Sequence, residues 1–155
     1  MESAGRPELR RGSNGTRWTN EQLLFHMLFG YLLVRNLLWL VRAFGRLPDA
    51  ASRGFAALLN AATRPFHVVN YLGSLGGPHL LGSSGMERVM DTVTASLIRF
   101  LERADDRLLA RGMHFPTGWD PYFQDYMTVQ EVLHYATVHY QHHRRQLTLH
   151  DAHDV

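Results

Sequence analysis

The sequence predicts an all-α protein, a single helical bundle, and three stretches carry that prediction. From Leu23 to Leu40 the chain is almost entirely apolar behind a capping box at Thr19 and Gln22, the pattern of a helix surrounded by neighbours. From Met86 to Arg111 the residues Met90, Val93, Leu97, Phe100, Leu101 and Leu108 recur at intervals of three and four, with charges opposite, which is helical periodicity. From Thr128 to Leu149 a second capping box, Thr128 with Glu131, launches an amphipathic segment. A chain of 155 residues with 45% apolar and 11% aromatic content has room for one domain with a real core.

Composition removes several chemistries. All 16 basic residues are arginine, so a lysine Schiff base or amine nucleophile is excluded. With no cysteine there is no disulfide framework and no thiolate site, and any bound metal must use His, Asp or Glu. A formal net charge of only +2 gives no reason to expect nucleic acid as a partner.

Residues 1–17 are rich in Gly, Ser, Asn and Arg without an apolar run, and are expected to form a disordered arm. The first helix opens at Thr19, with Trp18 placed to staple onto Leu23. Its length raises the question of a membrane span. His26, Arg35 and Asn36 argue against one, since a central arginine costs about 2.5 to 3.5 kcal/mol in hydrocarbon. Arg35, Arg42 and Arg46 share one stripe, and His26 lies roughly 180° from Arg35 on the helical wheel, so His26 faces inward. Gly45 and Pro48 end this helix, and Asp49 caps a weaker one running to Ala62 and broken by Pro65. Phe66 to Leu72 is expected to continue it. The glycine-rich stretch Gly73 to Gly85 reads as a long irregular linker or flap, lacking the lysine and spacing of a phosphate loop. In the Met86 to Arg111 helix, Glu102, Asp105 and Asp106 alternate with Arg99, Arg103 and Arg107 as a solvated, ion-paired face. Gly112 to Tyr126 is an aromatic loop, too apolar to hang in water, that packs across the bundle and roofs a pocket. Residues 150–155 form a polar tail expected to fray.

The last helix carries the chemistry. His139 and His143 stand four residues apart, so the two imidazoles lie within roughly 40° of each other, one turn apart. Val132, Tyr135 and Ala136 fall on the same side, which points the pair toward the core. Neutral imidazole is the commonest protein metal ligand, and a transition-metal site needs at least three donors converging from rigid elements. The inward His26 is the candidate third. His142 sits on the flank of His143 and is the rival within the helix, while His67 and His79 have no partner at ligand spacing. Ligands on one ion require imidazole nitrogens about 3 to 4 Å apart.

The stretches RWTNEQLLFH at 17–26 and HYQHHRRQLTL at 139–149 resemble the DinB-like proteins, also called YfiT-like or bacillithiol-transferase-like. The family pattern of a tryptophan before a one-histidine helix, then a distant H-x-x-x-H with Arg and Gln close behind, falls here on Trp18, His26, His139, His143, Arg144 and Gln146. The resemblance covers residues 18–149 and implies a four-helix bundle. It also implies a divalent metal, usually zinc or nickel, on His26, His139 and His143, with positions left for water or substrate. Members with known reactions include thiol-dependent S-transferases and a mycothiol-dependent maleylpyruvate isomerase. The expected function is therefore a metal-dependent transferase with a low-molecular-weight thiol cosubstrate, or a hydrolase, acting on a small electrophilic substrate. The alternative is a non-catalytic metal-binding bundle serving in binding or stress response. No inward Asp or Glu stands at helical spacing, which favours a thiol over activated water. The family carries a helix before its tryptophan, and only the arm of residues 1–17 stands there in this chain. The N-terminal helix is thus expected to be missing, its wall supplied by Asp49 to Leu72 or by a partner subunit, or the sequence to start late relative to its relatives. The expected setting is a soluble, cytoplasmic homodimer.

Overall fold

Both capping boxes form, and they fix where the two site-bearing helices start. Thr19 accepts from the backbone of Gln22, whose side chain returns to the Thr19 backbone, and α2 runs Asn20–Phe44; Thr128 and Glu131 do the same for α6, Val129–Arg144. The computed structural model describes residues 5–149. Besides α2 and α6 it contains α1 (Arg6–Leu9), α3 (Asp49–Ala61), α4 (Thr63–Glu102), α5 (Asp106–Leu109) and the short strands β1 (Gly112–His114) and β2 (Tyr126–Thr128). The protein is all-α apart from that one two-stranded ribbon.

α2 is the axis. It is apolar and long enough to cross a bilayer by length and composition; here part of its apolar surface is packed against the rest of the bundle, while Trp39 stays exposed. Val34, Leu37, Leu38 and Val41 pack with Val129, Val132, Tyr135 and Ala136 of α6 and with Met113, Phe115, Phe123 and Met127 of the ribbon and its loop. On another side Leu28 packs with Met86 and Val93 of α4. The pairs His26 with His143 and Tyr31 with Tyr140 show α6 running antiparallel to α2.

The glycine-rich stretch 73–85 is not an irregular linker. It is helical on both sides of Gly82, whose φ of 64° and ψ of 170° turn α4 back on itself. Residues 63–81 descend α2: Phe66 and Asn70 share a cavity with Leu33 and His26, and Tyr71 stacks on Trp18. Residues 83–102 then climb it, from Met86 against Leu28 to Phe100 beside Trp39 and Arg42. Glycine is a poor helix former in isolation, but Gly77 is where the two helices touch: a Cβ there would lie 2.2 Å from the Phe25 ring. Tertiary packing therefore outweighs propensity. Residues 63–81 pack along α2 and leave Val68, Val69, Leu72 and Leu80 exposed.

Residues 5–17, expected as a disordered arm, are folded onto the bundle by polar contacts. The fully buried Asn20 donates to Glu8 O at 2.8 Å and to Thr148 Oγ1 at 2.9 Å. Gly12 bridges Thr19, and Asn14 N donates to Gln146 O at 2.7 Å. An apolar pattern could not reveal a segment held by hydrogen bonds. The tail expected at 150–155 lies outside the described residues, as do residues 1–4.

The Met86 to Arg111 helix stops at Glu102, and Asp105, expected on an ion-paired face, instead caps α5 by accepting from Leu108 N at 2.7 Å. The aromatic loop 112–126 contains β1, which pairs antiparallel with β2 in the register Gly112 to Thr128. Within the loop, Trp119 Nε1 donates to Leu59 O at 2.9 Å and its ring stacks on Phe66 at 3.9 Å, so the loop closes over the upper part of α2. The Trp18 ring lies against His26, tilted by 35° with ring centroids 4.5 Å apart.

The two neighbouring glycines of α4 test the packing argument. Gly77→Ala drives a methyl into Phe25 and is expected to cost about 1 to 3 kcal/mol. Gly76 has nothing within 4 Å of its virtual Cβ, so Gly76→Ala is expected to stabilise by about 0.5 to 1 kcal/mol through helix propensity. Urea unfolding of the two variants checks the opposite signs.

Candidate metal centre

The structure brings together the three histidines singled out by sequence. His26 and His139 are buried and His143 is partly buried, and one nitrogen from each lies within 4.8 Å of the others. The closest approach is His26 Nε2 to His143 Nε2 at 3.2 Å. The set is slightly wider than the 3 to 4 Å expected, and the closest pair falls inside it. His142 stays on the flank, its Nδ1 hydrogen-bonded to the Tyr122 hydroxyl at 2.9 Å.

A glycine makes the convergence possible. Gly30 follows His26 by one turn of α2, and a Cβ there would sit 2.7 Å from Nδ1 of His139. The imidazole lies directly on the α2 backbone, which lets α6 approach closely enough for His143 to meet His26. Neighbours then orient the rings. Gln146 Oε1 accepts from His143 Nδ1 at 2.7 Å, which places the proton on Nδ1 and leaves the Nε2 lone pair facing the cluster. Asn70 borders the same cavity as His26. His26 Nδ1, Asn70 Oδ1 and Trp18 Nε1 are nevertheless buried without a hydrogen-bond partner.

Burial decides the charge state. Desolvation, reinforced by His139 and His143, lowers the His26 pKa to about 3. Desolvation, then His143 and His142, lowers that of His139 to about 3 as well. His143 is lowered too, chiefly by burial. At neutral pH the cluster presents uncharged nitrogens, the form that binds a metal. Two nitrogen donors on a tetrahedral ion at about 2.1 Å stand about 3.4 Å apart, close to the 3.2 Å between His26 and His143. The closest pair thus already has ligand spacing, and a set within 4.8 Å could draw in around a divalent cation.

Sequence reasoning missed Asp120, because its position depends on the turn between β1 and β2 rather than on helical phase. Asp120 Oδ2 accepts from the Tyr135 hydroxyl at 2.9 Å and lies 3.9 Å from His139 Nε2. Oδ1 accepts from Tyr122 N at 2.9 Å. The hydroxyl of Tyr135 is pushed to a higher pKa, first by burial and then by the Asp120 charge, so it stays a donor. The Asp120-Pro121 pair, a turn-initiating dipeptide, was the available signal. Asn70 was missed as well, since the segment carrying it was expected to end in a linker. These groups border a cavity of about 20 Å³ with His26, His139, Phe66, Trp119 and Phe123, room for one water molecule.

The profile of the DinB superfamily matches residues 2–147. No curated protein and no solved structure matches the chain at a significant level.

Two outcomes follow from this geometry. Gly30→Ala is expected to push His139 off α2 and to weaken divalent-metal binding by about 10- to 100-fold, the range seen when a ligand loses its orientation; isothermal titration of the purified variant measures it. The second concerns pH. Folded values of about 3 for His26 and His139 lie below the usual 6.5, so the unfolded chain takes up protons that the folded chain refuses. Stability from this source is intact above pH 6.5 and is lost as pH falls toward 3. Between pH 7 and pH 5 the metal-free protein is expected to lose on the order of 2 kcal/mol per histidine. Urea titrations at the two pH values should show that drop, and His26→Gln with His139→Gln should flatten it.

Proposed function

The chain belongs to the DinB superfamily, and from that premise we propose that it is a divalent-metal enzyme that transfers a low-molecular-weight thiol to a small electrophilic substrate. The observation carrying this reading is the trio of neutral imidazole nitrogens within 4.8 Å of one another. His26, His139 and His143 would hold the ion, zinc or nickel, and Gln146 fixes the ring of His143. A divalent ion held by three histidines supplies Lewis acidity to a group in an open coordination position. In such a transfer the thiol S–H bond breaks, its sulfur bonds to the electrophilic carbon, the bond from that carbon to the leaving group breaks, and the released proton goes to the leaving group. Phe66, Trp119 and Phe123 line the cavity beside the histidines; the preference for a thiol nucleophile rests on the family. Asp120 brings a carboxylate beside His139, so hydrolysis of the same electrophile is the second reaction the site supports.

A rival reading, a metal-binding bundle without catalysis, draws on the small size of the cavity, about 20 Å³. Turnover separates the two. The protein loaded with zinc or nickel is expected to bind one ion per chain and to consume a small thiol in the presence of an electrophile such as an epoxide or an activated halide. His139→Ala and His143→Ala are each expected to lower metal affinity by at least about 100-fold and to abolish turnover together with it. Stoichiometric metal binding with no turnover across a panel of thiols, and none with water as the nucleophile, would favour the structural role.

A further inference from the structure

Asp120 is held unusually well for a carboxylate on a loop. Tyr122 N occupies Oδ1 and the Tyr135 hydroxyl occupies Oδ2, each at 2.9 Å. Every carboxylate oxygen has two lone-pair directions, so each keeps one free, and Oδ2 lies 3.9 Å from His139 Nε2. The carboxylate is nevertheless outside the set of donors that converge within 4.8 Å. It borders the cavity beside His26 and His139, where the other walls are neutral and largely aromatic. A preorganised acceptor that stands next to the donor set without joining it suits a hydrogen bond to a ligand.

We propose that Asp120 is a positioning residue and sets the class of molecule the site admits: its free lone pair accepts a hydrogen bond from the S–H or O–H of a small neutral molecule, and its charge turns away anions. The class is a neutral thiol or alcohol whose S–H or O–H end enters the volume of about 20 Å³, which takes one water-sized group, while the rest of the molecule stays outside it. The inference rests on the three-histidine metal reading, and its test is chosen so that the two fail separately.

Cobalt(II) replaces the native ion as a spectroscopic probe, and the loaded protein is titrated with 2-mercaptoethanol and, separately, with azide, an anion without a proton to donate. In Asp120→Asn the thiol is expected to bind about tenfold more weakly, the loss of one hydrogen bond to a charged group. Azide is expected to bind several-fold more tightly, while the ligand-free cobalt spectrum and cobalt affinity stay close to those of the parent protein. Tyr135→Phe removes one support of the carboxylate and keeps its charge. It is expected to weaken the thiol by a few-fold and leave azide unchanged, and it serves as the deciding variant if Asp120→Asn does not fold. A purely structural role for Asp120 would not move the two ligands in opposite directions. Unchanged thiol and azide affinities in both variants would overturn the proposal, as would a hundredfold loss of cobalt affinity with an altered ligand-free spectrum in Asp120→Asn, which would make Asp120 a direct ligand. If the parent protein binds no cobalt, the metal reading itself fails.

Discussion

The approach of α6 to α2 at Gly30 is the contact on which the centre depends. Helices packed through ordinary side chains keep their axes about 8 to 10 Å apart. With no Cβ at Gly30, the ring of His139 lies against the α2 backbone, and one turn along each helix His143 reaches His26. Crowding imidazoles this way removes them from water, and their low proton affinity is the direct result. The arrangement costs stability as long as the nitrogens face only each other, because buried polar groups without partners are unfavourable. His26 Nδ1 and Asn70 Oδ1 are such groups. A cation drawing on the three lone pairs would offset that cost, and its binding would then be coupled to folding.

Around that contact the bundle uses two kinds of adhesion. The α2, α6 and ribbon core is apolar and well buried, with Val34, Val41, Val129 and Phe115 all at 1% exposure or less. The flanks of the site are polar. Asn20, fully buried, ties the N-terminal segment to Thr148 beyond α6, and Ser52 on α3 accepts from His114 N of β1. α3 also holds the roof: Asn60 Oδ1 accepts from Gly118 N at 3.0 Å beside the Trp119 to Leu59 bond. The second helix, weak by sequence, thus earns its place by positioning the loop that carries Asp120.

What the sequence revealed and what it hid divide along physical lines. The starts of α2 and α6 were legible because a capping box is local chemistry, complete within four residues. The inward phase of His26, His139 and His143 was legible because helical geometry is regular, and the structure brings those residues together. The glycine-rich stretch was misread because helix propensity is a weak prior, and nothing local announces that Gly77 faces Phe25. Residues 5–17 were misread because a buried asparagine, unlike an apolar stripe, leaves no periodic trace. Asp120 was invisible to a search by helical phase, since its own turn, through Tyr122 N, and the Tyr135 hydroxyl on α6 fix its direction.

The hydrogen bonds between Asn14 and Gln146, and between Gly12 and Thr148, bring both ends of the described chain to one end of the bundle. Gln146 is also the residue that holds His143. Because the described residues at both ends lie near His143, an affinity tag of consecutive histidines would be tethered within a short stretch of chain of the three-imidazole cluster, at high effective concentration. Such a tag would compete for an ion there and confound any stoichiometry measured on the fusion. Excision of the tag, or capture through a peptide without metal-binding side chains, is the preparation this architecture calls for.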